Sequence, residues 1–294
     1  MTHHSPSSLI DLHCHSTASD GALAPADVVE RARERGVEVL ALTDHDTYAG
    51  VPEASQRAQA LDMILLSGIE LSCQWGRYGI HVVGLDFDTG HPAMVEAVNQ
   101  QVTRRHNRAR TIDDRLVARG LPSVLDDAMA LAGGVPGRPH FAQAMVDREL
   151  VGRTDAAFRR YLGNGKTGDV RACWPELATV VQWITAAGGV AVLAHPRKYR
   201  MTNVKLRGLI SEFMAAGGQA IEVISSGQSD SDTGYLGELC ERFECAASLG
   251  SDFHAPGRPW CELGRLPALS HRLRPVWRQF SAPTRDRLAT QAGL

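Results

Sequence analysis

The chain has 294 residues, of which 44% are hydrophobic and 22% charged, with a formal net charge of −2. This is the balance of a globular protein with room for one large domain or two small ones and a core that needs no disulfide. It excludes a disordered chain, a fibrous one, and a protein that coats nucleic acid by bulk charge. No run of 18 apolar residues occurs, and Met1–Ser8 lacks the apolar stretch of a secretory signal. The expectation is therefore a cytoplasmic protein without a membrane partner. Its cysteines, Cys14, Cys73, Cys173, Cys240, Cys245 and Cys261, are expected as reduced thiols, and none forms a C-x-x-C pair.

Short apolar runs predict strands at Ser8–His13, Val37–Thr43, Met63–Ile69, Ile80–Phe87, Val190–Ala194, Ala220–Ile224 and Ala246–Gly250. Helical patterns lie between several of them. Ala24-Pro25 opens one over Asp27–Arg35, closed by Gly36. Others are predicted at Pro52–Leu61, at Leu206–Ala216 before Gly217-Gly218, and at Tyr235–Phe243. Strands alternating with helices define an α/β fold with a largely parallel sheet, and seven of them suit a closed or nearly closed barrel.

Residues 98–172 break this rhythm. They offer helical segments such as Val102–Arg119 and Asp155–Leu162, but no convincing strand. Their net charge is +5, against −7 for the remainder. The segment reads as a helical insertion with a basic face, and residues 1–97 and 173–294 as the α/β domain. Arg104, Arg105, Arg108 and Arg110 read as a solvated helix face.

Metal-ligand residue types gather at the strand ends. The first strand runs into Asp11-Leu12-His13-Cys14-His15, with Asp20 just beyond. His13 and His15, two apart, share a side of an extended segment. The second strand leads to Thr43-Asp44-His45-Asp46, and the third ends at Glu70. His81 begins the fourth, so it fits only if that strand is antiparallel. His195 closes the fifth, Glu222 sits in the sixth, and Ser251-Asp252-Phe253-His254 follows the seventh. In a parallel barrel such ends converge on one face. A lone strand-end histidine is more often structural, but this many chemically matched ends point to divalent metals. Imidazole with carboxylate suits manganese, zinc or iron.

The motifs Asp11-Leu12-His13-Cys14-His15-Ser16, Ser19-Asp20-Gly21, Leu42-Thr43-Asp44-His45-Asp46-Thr47, Gly68-Ile69-Glu70, Ala194-His195-Pro196 and Ser251-Asp252-Phe253-His254 resemble those of the PHP (polymerase and histidinol phosphatase) family. The resemblance covers the chain outside the insertion. It implies a distorted seven-stranded β/α barrel and two or three divalent ions, manganese first, with zinc or iron as alternatives. It also implies the ligand sets. His13, His15, Glu70 and Asp252 resemble one; Glu70 would bridge to a second completed by His81 and His195; Asp20, His45 and His254 resemble a third. Asp44 and Asp46 are expected behind the ligands, orienting His45 or a water. Glu222 either supports the site or merely finishes a strand.

Such a site suits hydrolysis of a phosphate ester by metal-bound hydroxide, with no protein nucleophile. The insertion is expected to act as the substrate lid. Arg138 and His140 in Gly137-Arg138-Pro139-His140, Arg171, and Arg197 after His195-Pro196 are the candidate substrate contacts, because a guanidinium fork matches phosphate oxygens. Within the family, the length and the Gly137-Arg138-Pro139-His140 motif resemble bacterial enzymes that remove the 3′-phosphate of nucleoside 3′,5′-bisphosphates. Related members degrade short RNA from the 5′ end. No obligate protein partner is expected. The alternatives are a histidinol-phosphate phosphatase, a C–N hydrolase of the amidohydrolase type, and a non-catalytic module.

Overall fold

The computed structural model describes residues 9–132, 135–170 and 173–294. These divide into two compact units, one running to Ala97 and resuming at Pro175, the other Val98–Trp174.

The first unit is built on seven strands: β1 (Ile10–Asp11), β2 (Val39–Leu42), β3 (Ile64–Trp75), β4 (Tyr78–Leu85), β5 (Val190–Leu193), β6 (Ala220–Ser225) and β7 (Ala246–Gly250). They lie side by side in chain order. The amide of Leu12 donates to the carbonyl of Leu249 at 3.2 Å, and Cys14 bridges to Phe253, so β1 returns to β7 and the barrel nearly closes. All neighbours are parallel except β4, which runs antiparallel to both β3 and β5.

The apolar runs are near-continuous because both faces of the strands are buried. Along β2, Val39 and Ala41 join Ile10, Leu12, Ile64, Leu66 and Val192 in one core, while Leu40 and Leu42 pack in another with Val28, Val29, Ala54 and Ala58. The period of two separates the barrel interior from the helix-facing layer. Those helices are α1 (Pro25–Glu34) and α2 (Val51–Ala60), each with Pro in its first turn. The helix α3 (Pro92–Val117) leads out of the barrel unit.

Three differences from the expected elements have local causes. β1 has only two residues, since its continuation, His13 to His15, is tied to the neighbouring segments by single contacts, such as the Cys14–Phe253 bridge and the Thr43 amide to the Cys14 carbonyl, rather than by a regular ladder. β3 continues past Glu70 to Trp75, because β4 folds back on it as a hairpin in the register Glu70↔Val83 and Ser72↔His81. An unpredicted helix (Leu177–Ala186) precedes β5. Its β-branched residues mimic a strand, yet Leu177, Val180, Val181 and Ile184 are buried at helical spacing.

In the second unit, the C-terminal part of α3 packs with α4 (Leu125–Leu131), α5 (Arg138–Asp147) and α6 (Thr154–Ala157), and α6 continues as a π-helical turn through Leu162. Ile112, Leu116, Phe141, Met145 and Leu162 form their core. The helix before β5 is α7. After β5 come α8 (Asn203–Ala215) and α9 (Asp230–Arg242), whose N-caps Thr202 and Ser229 accept from Lys205 and Asp232 amides. These caps start both helices earlier than the apolar pattern suggests. A short α10 (Ala282–Arg287) lies near the C-terminus.

The arginines of α3 are not a uniform solvated face. Arg108 is buried and its Nε donates to the carbonyl of Val170, while Arg105 and Arg108 both stack on Trp174. Arg104 donates to the carbonyl of Cys173. Among the described residues, no helix is long and apolar enough to cross a membrane.

Candidate active site

Glu70 is the centre of the constellation. It is fully buried on β3, on the face it shares with His81 of the antiparallel β4. That reversal is why a histidine near the start of a strand reaches the same rim as residues at the ends of others. Oε1 of Glu70 lies 2.9 Å from Nδ1 of His81 and 2.8 Å from Nε2 of His195. Oε2 lies 3.3 Å from Nε2 of His13, 3.3 Å from Nε2 of His15 and 3.0 Å from Nδ1 of His45. One carboxylate thus meets five imidazoles delivered by β1, β2, β4 and β5.

Asp252 and Asp20 extend the cluster. Oδ1 of Asp252 lies 3.5 Å from His13 Nε2, 3.2 Å from His15 Nε2 and 3.6 Å from His254 Nδ1. Oδ1 of Asp20 lies 3.4 Å from His254 Nε2 and 3.9 Å from His15 Nδ1, and its Oδ2 lies 3.9 Å from His45 Nε2. The geometry therefore brings together His13, His15, Asp20, His45, Glu70, His81, His195, Asp252 and His254. Close packing of backbone makes this feasible: a Cβ on Gly250 of β7 would stand 2.1 Å from the Cβ of His13. His195 and Asp252 also hold left-handed backbone, at φ 30° and 54°, a cost that surrounding structure must sustain.

The ligand atoms fit divalent cations better than they fit each other. His13 Nε2, His15 Nδ1, His45 Nδ1, Asp20 Oδ1 and Glu70 Oε2 are buried and form no hydrogen bond, although oppositely disposed partners lie nearby. Buried polar atoms without partners are costly and call for an explanation. Lone pairs converging on shared points supply one. Three groups have ligand atoms within 4.8 Å of one another: His13, His15, Glu70 and Asp252; His15, Asp20, His45 and His254; and His45, Glu70 and His81. The first set is as expected and the second gains His15, but in the third His45 stands with Glu70 and His81 where His195 was expected; His195 meets Glu70 without joining a group. His15 and His45 each sit between carboxylates, one ring nitrogen toward Asp20 and the other toward Glu70, which residue spacing does not reveal.

The electrostatics favour ionised carboxylates. Burial alone would raise Glu70, but His81, His13 and His45 hold it well below the usual carboxylate range. Burial likewise opposes ionisation of Asp252, and His13, His15 and Lys198 outweigh it. Burial pushes His45 down to about 4, whereas for His15 the bonds and charges of Asp252 and Glu70 outweigh burial and push it up to about 10, so without cations these imidazoles do not share one protonation state.

Residues behind the ligands are more specific than expected. Glu222 accepts from Nδ1 of His13 at 3.2 Å and from the amide of His195 at 2.7 Å. It supports the site rather than merely ending β6. Asp44 accepts from the amide and hydroxyl of Ser16 at 2.8 and 2.7 Å and from the hydroxyl of Ser19 at 2.6 Å. It therefore clamps the loop carrying His15 and Asp20, instead of orienting the His45 ring. Asp46, at φ 57°, accepts from the amide and hydroxyl of Ser72, tying the His45 turn to β3.

The expected substrate contacts fare differently. Arg197 is engaged by Asp232 at 2.6 Å and Asn203 at 2.9 Å, and stacks on Tyr235. Its guanidinium is thus held between α8 and α9 rather than standing free as a fork. The neighbouring Lys198, which sequence reasoning passed over, instead reaches the carboxylate of Asp252. The turn Pro196–Tyr199 decides which of the two side chains faces the cluster, and no periodic signal marks it. Tyr199 also supports the rim: its hydroxyl accepts from the amide of His81 at 2.9 Å and donates to the carbonyl of Ala194 at 2.8 Å. In the helical unit, Arg138 donates to the carbonyl of Leu162 and lies 3.9 Å from Asp169. His140 Nδ1 accepts from the amide of Gly137 and caps α5. Arg171 lies outside the described residues.

A seven-stranded barrel that gathers five imidazoles and three carboxylates in candidate metal groups, with a sixth imidazole, His195, against Glu70, defines a metal-binding hydrolase-like protein. The comparisons make the class specific. The PHP domain model matches residues 11–164. A 5′-3′ exoribonuclease of Haemophilus influenzae is 44% identical over 92% of this chain and 98% of its own length. A 3′,5′-nucleoside bisphosphate phosphatase of Chromobacterium violaceum is 41% identical over 93% and 96%. Among solved structures, an amidohydrolase from Chromobacterium violaceum, with bound sulfate and no metal, is 40% identical with a TM-score of 0.86, covering 95% of this chain and 97% of that one. The chain belongs to the PHP domain family.

Proposed function

We propose that this protein is a metal-dependent phosphoesterase that removes the 3′-phosphate from nucleoside 3′,5′-bisphosphates, releasing a nucleoside 5′-monophosphate and phosphate. The observation that carries the reading is the set of buried, hydrogen-bond-free ligand atoms converging around Glu70. The names of the relatives favour a nucleotide substrate over histidinol phosphate or a C–N bond. They also favour a second activity, on short RNA from its 5′ end. Both activities act at the 3′ side of a nucleotide.

His13, His15, Glu70 and Asp252 would hold one ion. His81 and His195 would share Glu70 with it for a second, and Asp20, His45 and His254 would hold a third. Manganese is the preferred ion, with zinc or iron suited to the same donors. Divalent ions here would polarise phosphoryl oxygens and bring a water's pKa toward neutrality. The chain's own residues do the rest. Glu222 holds the His13 ring with Nδ1 protonated, so that Nε2 faces the cluster. Lys198, at the rim beside Asp252, offers an ammonium to a phosphoryl oxygen. The helical unit is proposed as the substrate lid, with Arg138, His140 and Arg171 contributing to recognition of the second phosphate.

The test is hydrolysis of adenosine 3′,5′-bisphosphate with metal content measured alongside. Release of the 3′-phosphate that stops on chelation and returns with manganese is expected. Undiminished activity in metal-free protein, or release of the 5′-phosphate alone, overturns the reading.

A further inference from the structure

The most exposed aromatic side chain among the described residues lies on the segment that follows the cluster residue His254. Trp260 is 66% exposed, and it is the only aromatic among the well-exposed large apolar residues described. A large apolar ring left in water is informative where its backbone is fixed near a site. Its segment leaves directly from the cluster residue His254 and returns to it, since Sγ of Cys261 lies 3.4 Å from the carbonyls of both Ser251 and Asp252. Between them the chain is tied down. The amide of Cys261 donates to the carbonyl of Arg258 at 2.9 Å, and Arg265 donates to the carbonyl of Pro259 at 2.7 Å. Just beyond, Glu262 is held by Arg31, and the amide of Gly264 donates to Asp11. The ring borders Gly227, where a Cβ would come 3.8 Å from indole Cδ1. Gly227 holds φ 73° in the turn after β6, at the strand end where the cluster lies.

We propose that Trp260 is the nucleobase platform of this enzyme, the indole stacking on the base of the nucleotide whose 3′-phosphate lies at the cluster. The proposal rests on the phosphoesterase reading and adds to it the base-recognising residue. Cys261 touches the backbone of Asp252, so the backbone of Trp260, one residue away (about 3.8 Å between Cα atoms), is held close to a cluster residue, and the proposal places its indole within a nucleoside's length of the 3′-phosphate. The pinned backbone means that little freedom is lost on binding. Every base has a π-face, so stacking is indifferent to base identity and worth about 1–3 kcal/mol per base. A stacking platform therefore implies weak discrimination among bases.

The experiment compares adenosine 3′,5′-bisphosphate, ribose 3,5-bisphosphate and a short 5′-phosphorylated oligoribonucleotide in wild type, Trp260→Ala and Trp260→Phe, each with its metal content measured. In Trp260→Ala the ratio of kcat/KM for the nucleotide to that for the base-free sugar should fall about ten- to a hundredfold. The loss should appear chiefly in KM, and phenylalanine should restore most of it. A matching loss on the oligoribonucleotide identifies an RNA end as using the platform, and a loss confined to the nucleotide assigns it to free nucleotides. A ratio unchanged in Trp260→Ala overturns the proposal. If wild type turns over none of the three, the phosphoesterase reading fails. The platform is then judged by quenching of tryptophan fluorescence with adenosine 5′-monophosphate. Quenching lost in Trp260→Phe sustains it, and quenching equal in both proteins overturns it.

Discussion

Oε2 of Glu222 lies 3.2 Å from Nδ1 of His13, joining the middle of β6 to the segment that follows β1. The same oxygen accepts the amide of His195, so one buried carboxylate fixes a ring and a left-handed backbone turn together. Outer partners of this kind orient metal ligands and raise their basicity, and losing one typically costs 10–100-fold in metal affinity. Glu222→Gln should therefore bind manganese about 10–100-fold more weakly while keeping the fold, as read by metal titration and circular dichroism. Wild-type affinity in this variant would show that Glu222 only completes a strand.

Gly250 makes room for His13. A Cβ there would overlap the His13 Cβ at 2.1 Å and approach its amide at 2.8 Å. Both partners belong to the closing seam of the barrel and neither is a flexible side-chain tip. Gly250→Ala should cost about 1–3 kcal/mol, the range for overpacking a tight site, and should lower metal content by displacing His13. Urea denaturation and metal analysis read the two effects. A variant with wild-type midpoint and full metal content would refute this account of the seam.

Much of this architecture is legible in the sequence, for reasons that differ by element. β5, β6 and β7 are short, wholly buried and stopped by polar or small residues, so their apolar runs nearly coincide with their paired lengths. β3 is longer than it reads because Glu70, a charge in mid-strand, looks like an end. Its charge is tolerated by five imidazoles that no local pattern reveals. The site chemistry is visible because ligand types recur at strand ends. The roles of Glu222, Asp44 and Lys198 depend on partners 25 to 209 positions away for their hydrogen bonds, and such pairings are tertiary facts. Arg108 reads as surface because arginine usually is; its guanidinium lies over the Trp174 ring and its Nε is held by a carbonyl 62 residues on.

Lys198 gives a sharp test of how phosphate is held. It is the cation that reaches Asp252, while the adjacent Arg197 is committed to Asp232. A charge-assisted contact to a phosphoryl oxygen is worth about 1.5–3 kcal/mol, or roughly ten- to a hundredfold in kcat/KM. Lys198→Ala should lose activity by about that factor and weaken inhibition by inorganic phosphate in parallel, while Lys198→Arg recovers part of both. Arg197→Ala should instead lower the denaturation midpoint and leave phosphate inhibition alone. Equal phosphate inhibition in wild type and Lys198→Ala would remove Lys198 from the site.

The frame of the Trp260 segment supplies a pH-dependent test away from the cluster. Arg31 grips Glu262 through two bonds, Nε to Oε1 at 2.9 Å and Nη2 to Oε2 at 2.6 Å, and Arg35 lies 3.5 Å away. Burial opposes ionisation of Glu262, but the Arg31 hydrogen bonds and charge outweigh it and hold the carboxyl below its ordinary value. A carboxyl depressed in the folded state binds its proton more readily when unfolded. The ion pair's stabilisation is therefore fully present above the unfolded pKa of about 4.3 and is lost as pH falls through the lower folded value. The pair is partly exposed, so a contribution of about 1 kcal/mol is expected, between that of exposed pairs and that of fully desolvated ones. Urea midpoints of wild type, Arg31→Met, Glu262→Gln and the double variant should show a coupling at pH 7 that shrinks as pH falls below about 4. Taking the difference within the cycle cancels the acid sensitivity of the remaining carboxylates. A coupling that persists undiminished at pH 3 would mean that the carboxylate's charge is not what Arg31 recognises.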